Sequence, residues 1–147
     1  GAIDSGDGRL DRAAERVAVH LLQQTAAGAG DEVFDRPIGK NQGISFPLAI
    51  AKTQLDAAEL MIRKAAFLID GGKPCAAEAN MAKYLAAEAG FFAADAAVQT
   101  HGGFGYAREF HVERYWREAR LMKLAPISQE MILNFVSEHV LGMPRSY

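Results

Sequence analysis

Three glycines fall within four positions of the run Gln99-Thr100-His101-Gly102-Gly103-Phe104-Gly105-Tyr106. Bare backbone at such a place suits two jobs: a ligand pressed against the main chain, or a tight reversal between two helices. A Walker-type phosphate loop is excluded, because no Lys-Ser or Lys-Thr pair follows Gly102-Gly103. The dinucleotide fingerprint is excluded too, since no strand pattern precedes the glycines. The four histidines, His20, His101, His111 and His139, share no metal-ligand spacing on one helix face, so no metal site is expected. His101 alone stands inside the glycine run, where it reads first as a cap on a helix end. Cys75 lies near a helix start, which can depress a thiol pKa. Without a partner residue it reads as a small packing side chain.

The elements that hold these residues are helical. From Leu10 to Ala27 the residues Leu10, Ala14, Val17, Leu21 and Thr25 fall near one face. The small, polar stretch Gly1 to Arg9 before it is expected to fray. Gly28 and Gly30 end this helix, and Pro37, Gly39, Asn41 and Gly43 mark Val33 to Gly43 as a loop. Ser45 opens a long helix with Pro47 in its first turns, where a missing N–H costs little. Leu48, Ala51, Leu55, Ala58, Ile62, Ala65 and Ile69 recur along it at spacings of three and four, a helix-packing stripe. Asp70-Gly71-Gly72-Lys73-Pro74 stops it. A second long helix runs from about Cys75 to Gln99, with Met81, Leu85, Phe92 and Ala96 inward and Lys83, Glu88 and Asp95 outward. The short link makes the two helices antiparallel neighbours. His111 to Leu124 forms a shorter helix whose Glu113, Glu118, Arg114, Arg117 and Arg120 read as a solvated face laced with ion pairs. Pro126 breaks it, and a last helix spans Ile127 to about Leu141. The expected fold is all-α, an up-down helical bundle.

Composition sets the outer limits. A chain of 147 residues, half of them hydrophobic and rich in alanine, fits one domain of closely packed helices. A net charge of −2 gives no strong pull toward nucleic acid or acidic membranes. The lone cysteine rules out an internal disulfide framework and suits a reducing, cytoplasmic setting. No apolar run approaches the roughly 20 residues of a membrane span, and no secretory pattern opens the chain.

Four stretches, in order, resemble the C-terminal helical domain of the acyl-CoA dehydrogenases. Phe34-Asp35-Arg36-Pro37-Ile38-Gly39-Lys40-Asn41-Gln42 is similar to the family's Phe-Gly-Xaa-Pro-Ile…Gln stretch. Glu78-Ala79-Asn80-Met81-Ala82-Lys83 resembles its Ala-Lys helix, and Gln99 to Tyr106 its Gln-Xaa-Xaa-Gly-Gly-Xaa-Gly-Tyr motif. Glu113 to Arg120 resembles its Glu-Arg…Arg-Asp-Ala run, with Glu118 in the Asp place. The likeness covers 31–147. Over 1–30 it is looser: Gly6-Asp7-Gly8-Arg9 and Asp11-Arg12-Ala13-Ala14 look like family pieces, set farther from Phe34 than usual. All of this amounts to one domain.

The resemblance implies oxidation of an acyl-CoA thioester to the 2,3-enoyl-CoA, in which a carboxylate removes the α-proton and FAD accepts a hydride from the β-carbon. It also implies a homo-oligomer, dimer or tetramer, or a partner subunit, because the adenosine end of FAD reaches a neighbouring subunit's bundle. Gln99, Gly102 and Gly103 fall at that contact, and Phe34 and Gln42 are placed for the same cofactor face. Ser128 keeps a hydroxyl where the family's Thr meets the flavin. Three departures limit the activity. Asp31 stands where the family has an Arg facing the FAD pyrophosphate, with Arg36 as a nearby substitute. Pro126-Ile127-Ser128 replaces the Glu-Gly-Thr triplet, so the usual base is missing. Glu130, about one helical turn beyond Pro126, is the candidate substitute, against its ordinary reading as a surface glutamate. The family's N-terminal helical domain and central β-domain are not on this chain, so no turnover is expected from it alone. A non-catalytic helical assembly module, or a partner subunit without its own flavin chemistry, is the alternative.

Overall fold

Alanine decides how these helices meet. The computed structural model describes the backbone of residues 8–30, 32–33 and 35–146, and the side chains of 18–30 and 35–146. The expectations for Gly1 to Asp7, Asp31 and Phe34 lie outside the described residues, as do the side chains of Leu10, Ala14 and Val17. The elements are α1 (Gly8–Gly28), β1 (Glu32–Val33), β2 (Arg36–Pro37), α2 (Gln42–Asp70), α3 (Ala76–His101), α4 (Gly103–Tyr106), α5 (Val112–Met122) and α6 (Gln129–Phe135). A 3-10 turn, Ile38–Lys40, precedes α2, and a π turn, Val136–Val140, prolongs α6.

α3 is the central helix. Ala82, Ala87, Ala89, Ala93, Ala94, Ala96 and Ala97 are all buried on it, so α1, α2 and α5 approach its backbone closely. One cluster joins Ala18 and Leu22 of α1 to Ala51 and Leu55 of α2 and Ala89 and Ala93 of α3. A second joins Leu21 to Ala94, Ala97 and Val112, with Tyr115 and Trp116 packed against it. The up-down bundle is therefore the fold, and α1 shares its core with the helices that follow.

α2 begins at Gln42, three residues before Ser45, because the Asn41 carbonyl accepts from both Ile44 and Ser45 amides, at 2.9 and 3.0 Å. Pro47 thus lies in the second turn and lacks the N–H that would meet the Gly43 carbonyl. Ala51, Leu55, Ala58 and Ile62 form the buried stripe, while Ile69 is 47% exposed. A strict three-four spacing drifts around a straight helix, so its far end leaves the core. Lys73 donates its amide to the Leu68 carbonyl at 2.9 Å and Gly72 takes φ +64°, closing α2 with a Schellman-type turn.

Two expectations are corrected here. The segment assigned to loop carries a minimal antiparallel ladder, Glu32 opposite Pro37 and Val33 opposite Arg36, with Asp35 left-handed at φ +60°. Lys83 and Glu88, expected outward, are half-buried and turn toward α5 and α6. A helix packed on several sides has no single solvent face. Of the three charges placed outward on α3, only Asp95 is exposed, and it accepts from Trp116 Nε1 at 2.9 Å.

Candidate functional site

Antiparallel packing gathers the start of α2, the end of α3 and all of α4 at one end of the bundle. Gln42 and Gln99 are exposed there, and neither side chain bonds to another described residue. α3 runs on through His101, whose Nδ1 lies 2.8 Å from the Ala97 carbonyl oxygen, so this histidine sits in the last helical turn. Gly102 then turns the chain at φ +58°, ψ −134°, a conformation open essentially to glycine. Gly105 is needed for a different reason. A Cβ on it would stand 2.5 Å from the Val98 carbonyl oxygen and 2.9 Å from Val98 Cα. Gly103 has neither reason: its φ is not left-handed, and a Cβ there would meet no described residue within 4 Å. Beside it Phe104 is 67% exposed and lies against Phe110, ring centroids 5.3 Å apart. No described residue accounts for Gly103, so its bare backbone suits contact with a ligand or another chain.

Ser128 and Glu130 lie elsewhere. α5 descends along α3, with Trp116 against Phe91 and Lys123 against Glu88. The α5–α6 corner, 123–128, therefore stands beside Tyr84 to Glu88. Gln99 lies eleven positions along α3 from Glu88, about 16 Å along the axis. The expected cofactor residues thus form two groups: Gln42, Gln99, Gly102 and Gly103 at one end, and Ser128 at the corner.

Ser128 caps α6, its Oγ accepting from the Met131 amide at 3.4 Å. Its own O–H faces the Glu130 carboxylate. Pro126 is exposed, and the Ala125–Pro126 peptide is cis. Glu130 is exposed, and its carboxyl is held below the usual carboxylate range by its own backbone amide and by Ser128. A depressed pKa makes a carboxylate a poorer proton acceptor, which weighs against Glu130 as a substitute base. Arg36 is exposed and donates to Asn41 Oδ1 at 3.1 Å. Cys75 is half-buried at the start of α3 and adds no cap bond through its side chain. The α5 charges behave as a solvated face, with Arg117 paired to Glu113 at 2.7 Å. Among the described residues, no group of three or more His, Cys, Asp or Glu is placed to hold a metal. No described helix is long and apolar enough to cross a membrane.

One cluster escaped the sequence reading. Glu88 accepts from Lys123 Nζ at 2.7 Å and from Gln129 Nε2 at 2.9 Å. Burial opposes ionisation of Glu88, yet these two donors, with the charges of Lys123 and Arg120, hold its carboxyl below the usual range. A depressed folded pKa stabilises the fold above the unfolded value, about 4.3, and that stability is lost as pH falls through the folded pKa. Glu88 is partly exposed, so the gain is screened to about 1 kcal/mol or less. Melting followed from about pH 6 to pH 3 is expected to fall less in Glu88→Gln than in the wild type; parallel slopes would remove this contribution.

Comparison with known proteins gives the wider frame. Residues 8–141 match the family model described as acyl-CoA dehydrogenase, C-terminal domain. Acyl-CoA dehydrogenase FadE12 of Mycobacterium tuberculosis is 49% identical over 118 residues, covering 79% of this chain and 30% of that protein. The solved butyryl-CoA dehydrogenase of Megasphaera elsdenii matches with TM-score 0.82 and 32% identity, over 87% of this chain and 34% of its own. A PigA structure with FAD shares the fold at TM-score 0.88 and 23% identity, over 93% of this chain and 36% of its own. The chain thus spans about a third of the length of the relatives it matches.

Proposed function

Since this chain belongs to the acyl-CoA dehydrogenase family through its C-terminal domain, we propose that it serves as the FAD-contacting and oligomerising bundle of such an enzyme, which oxidises an acyl-CoA to the 2,3-enoyl-CoA. The observation that carries this reading is Gly103, a glycine that no described neighbour requires, beside Gly102 and near Gln99 on an exposed end. FAD, when bound, supplies the hydride acceptor that the oxidation needs. Gln99 and Gln42 then offer amide groups to polar cofactor atoms, while Gly102 and Gly103 admit them to the backbone without a Cβ in the way. Ser128 offers a hydroxyl, shared with the Glu130 carboxylate, some 16 Å along the bundle. One chain holding the two groups that far apart is compatible with contacts to two different flavins in an oligomer.

Large apolar side chains support the oligomer. Phe46, Ile50, Leu60 and Phe67 on α2 are 55, 49, 69 and 73% exposed, a run of apolar surface that monomers rarely leave to water. They suit contact with another subunit or with the domains that the relatives carry beyond this third of their length. A second reading, an assembly module or partner subunit with no flavin chemistry of its own, is favoured by Pro126 at the base position and by the depressed Glu130 carboxyl. Neither Pro126 nor Glu130 then supplies a base for the α-proton.

The purified chain is expected to be a dimer or tetramer by light scattering, to take up added FAD, and to reduce no electron acceptor with a panel of acyl-CoAs. Turnover would overturn the assignment of Pro126 as a lost base. A monomer would count against the oligomer. A chain that remains colourless after incubation with FAD would favour the second reading.

A further inference from the structure

We propose that Glu88 is a positioning residue, whose carboxylate grips Lys123 and Gln129 and thereby sets where the Ser128 hydroxyl stands. The inference rests on the reading of Ser128 as flavin-facing. Residues 123–128 form no regular helix, yet Ser128 must be held still to present a hydroxyl usefully. The links that tie this corner down come from one short stretch of α3. Lys83 donates to the Met122 carbonyl at the end of α5. Glu88 takes Lys123 with one oxygen at 2.7 Å and the other at 2.8 Å. Gln129 Nε2 donates to Glu88 Oε1 at 2.9 Å and more weakly to the Tyr84 carbonyl at 3.3 Å.

Gln129 makes the coupling directional. It is the first residue of α6, next to Ser128, and only 6% exposed. Its Oε1 has no hydrogen-bond partner among the described residues, so the amide is anchored through its nitrogen alone. That orientation is forced, because a carboxylate only accepts and must face the NH2 group. Glu88 is therefore the charged, stronger anchor of the residue that carries Ser128. Without it, a buried amide keeps one long bond and one bare oxygen, and the first turn of α6 is free to rotate in search of others. Lys123, 5.4 Å from the Phe91 ring centroid, would lose its anion at the same time.

The test reads the corner itself. The amides of Met131 and Ile132 bond to the Ser128 side chain and carbonyl, so their hydrogen exchange reports on its placement. In Glu88→Ala these amides are expected to exchange about tenfold faster, while amides of Ala51–Ala58 and Ala93–Ala97 keep their rates. The double variant Glu88→Lys/Lys123→Glu is expected to return the corner to within about threefold of wild type. There the ion pair is reversed, and Gln129 can flip to accept from the new ammonium. Glu88→Gln, which keeps the shape and loses the charge, should fall between. Unchanged corner exchange in Glu88→Ala, equal acceleration of corner and core, or failure of the reversed pair to restore protection would each overturn the proposal. Ser128→Ala with added FAD tests the flavin contact separately. If FAD uptake ignores Ser128 while the exchange pattern holds, the flavin reading of Ser128 fails and the clamp stands.

Discussion

Leu55→Ala is expected to lower the unfolding free energy by about 2–5 kcal/mol, and the melting temperature by roughly 5–15 °C. Leu55 is 1% exposed and sits where three helices meet, between Ala18 and Leu22 of α1 and Ala89 and Ala93 of α3. The cost of such a truncation depends on whether neighbours can close over the void. Here Ala18, Ala51, Ala89 and Ala93 are already truncated to a methyl group with no rotamer to swing inward, which leaves Leu22, Val19, Leu48 and Phe92 to close only part of the void. The void therefore persists, which places the loss toward the upper part of the range. Leu60, on the same helix and 69% exposed, supplies the control: Leu60→Ala should change monomer stability by about 0.5 kcal/mol or less. Any larger effect of Leu60→Ala should depend on protein concentration, the mark of a subunit contact. Denaturant melts of both variants decide the matter. Equal, small losses would mean that α1 and α3 do not close over Leu55.

The same alanines explain what was legible in the sequence. α2 was readable because its buried positions, Ala51 to Ile62, alternate with charged pairs such as Lys52–Asp56. The stops at Gly72 and Gly102 were readable because glycine there takes the left-handed backbone that ends a helix. α3 was legible as a helix but not as a set of faces. Helices contact it on several sides, so burial follows small size rather than periodicity, and Met81, Leu85 and Phe92 end up half-buried around an alanine core. Glu88 was misplaced for that reason. Its partners lie 35 and 41 residues away, at Lys123 and Gln129, and no local pattern ties a lone glutamate to residues so distant. The minimal ladder at Glu32–Val33 and Arg36–Pro37 escaped because two residues per strand cannot display an alternation. The glycine run disclosed the end of the bundle but not the division of labour among its members, which needs the backbone beside each one.

That division can be tested by a matched pair, Gly103→Ala and Gly105→Ala. The two positions are two residues apart on the same short helix α4. At Gly105 the added methyl would lie 2.5 Å from a backbone oxygen of α3, which cannot rotate away as a side chain could. Relief requires α4 to lift from Val98 and His101, and such overpacking costs about 1–3 kcal/mol. The helix propensity gained by alanine, about 0.5–1 kcal/mol, offsets only part of it. At Gly103 the methyl meets no described residue, so Gly103→Ala should hold or slightly raise stability, by the same 0.5–1 kcal/mol. The ranking reverses when FAD is the readout. A Cβ at Gly103 would stand between the backbone and a ligand, so FAD uptake should weaken about tenfold or more while the fold is intact. Loss of stability in Gly103→Ala would reveal an internal role for that glycine and remove the observation on which the cofactor reading stands. Unaltered FAD uptake in a stable Gly103→Ala protein would instead move the contact away from this end of the bundle.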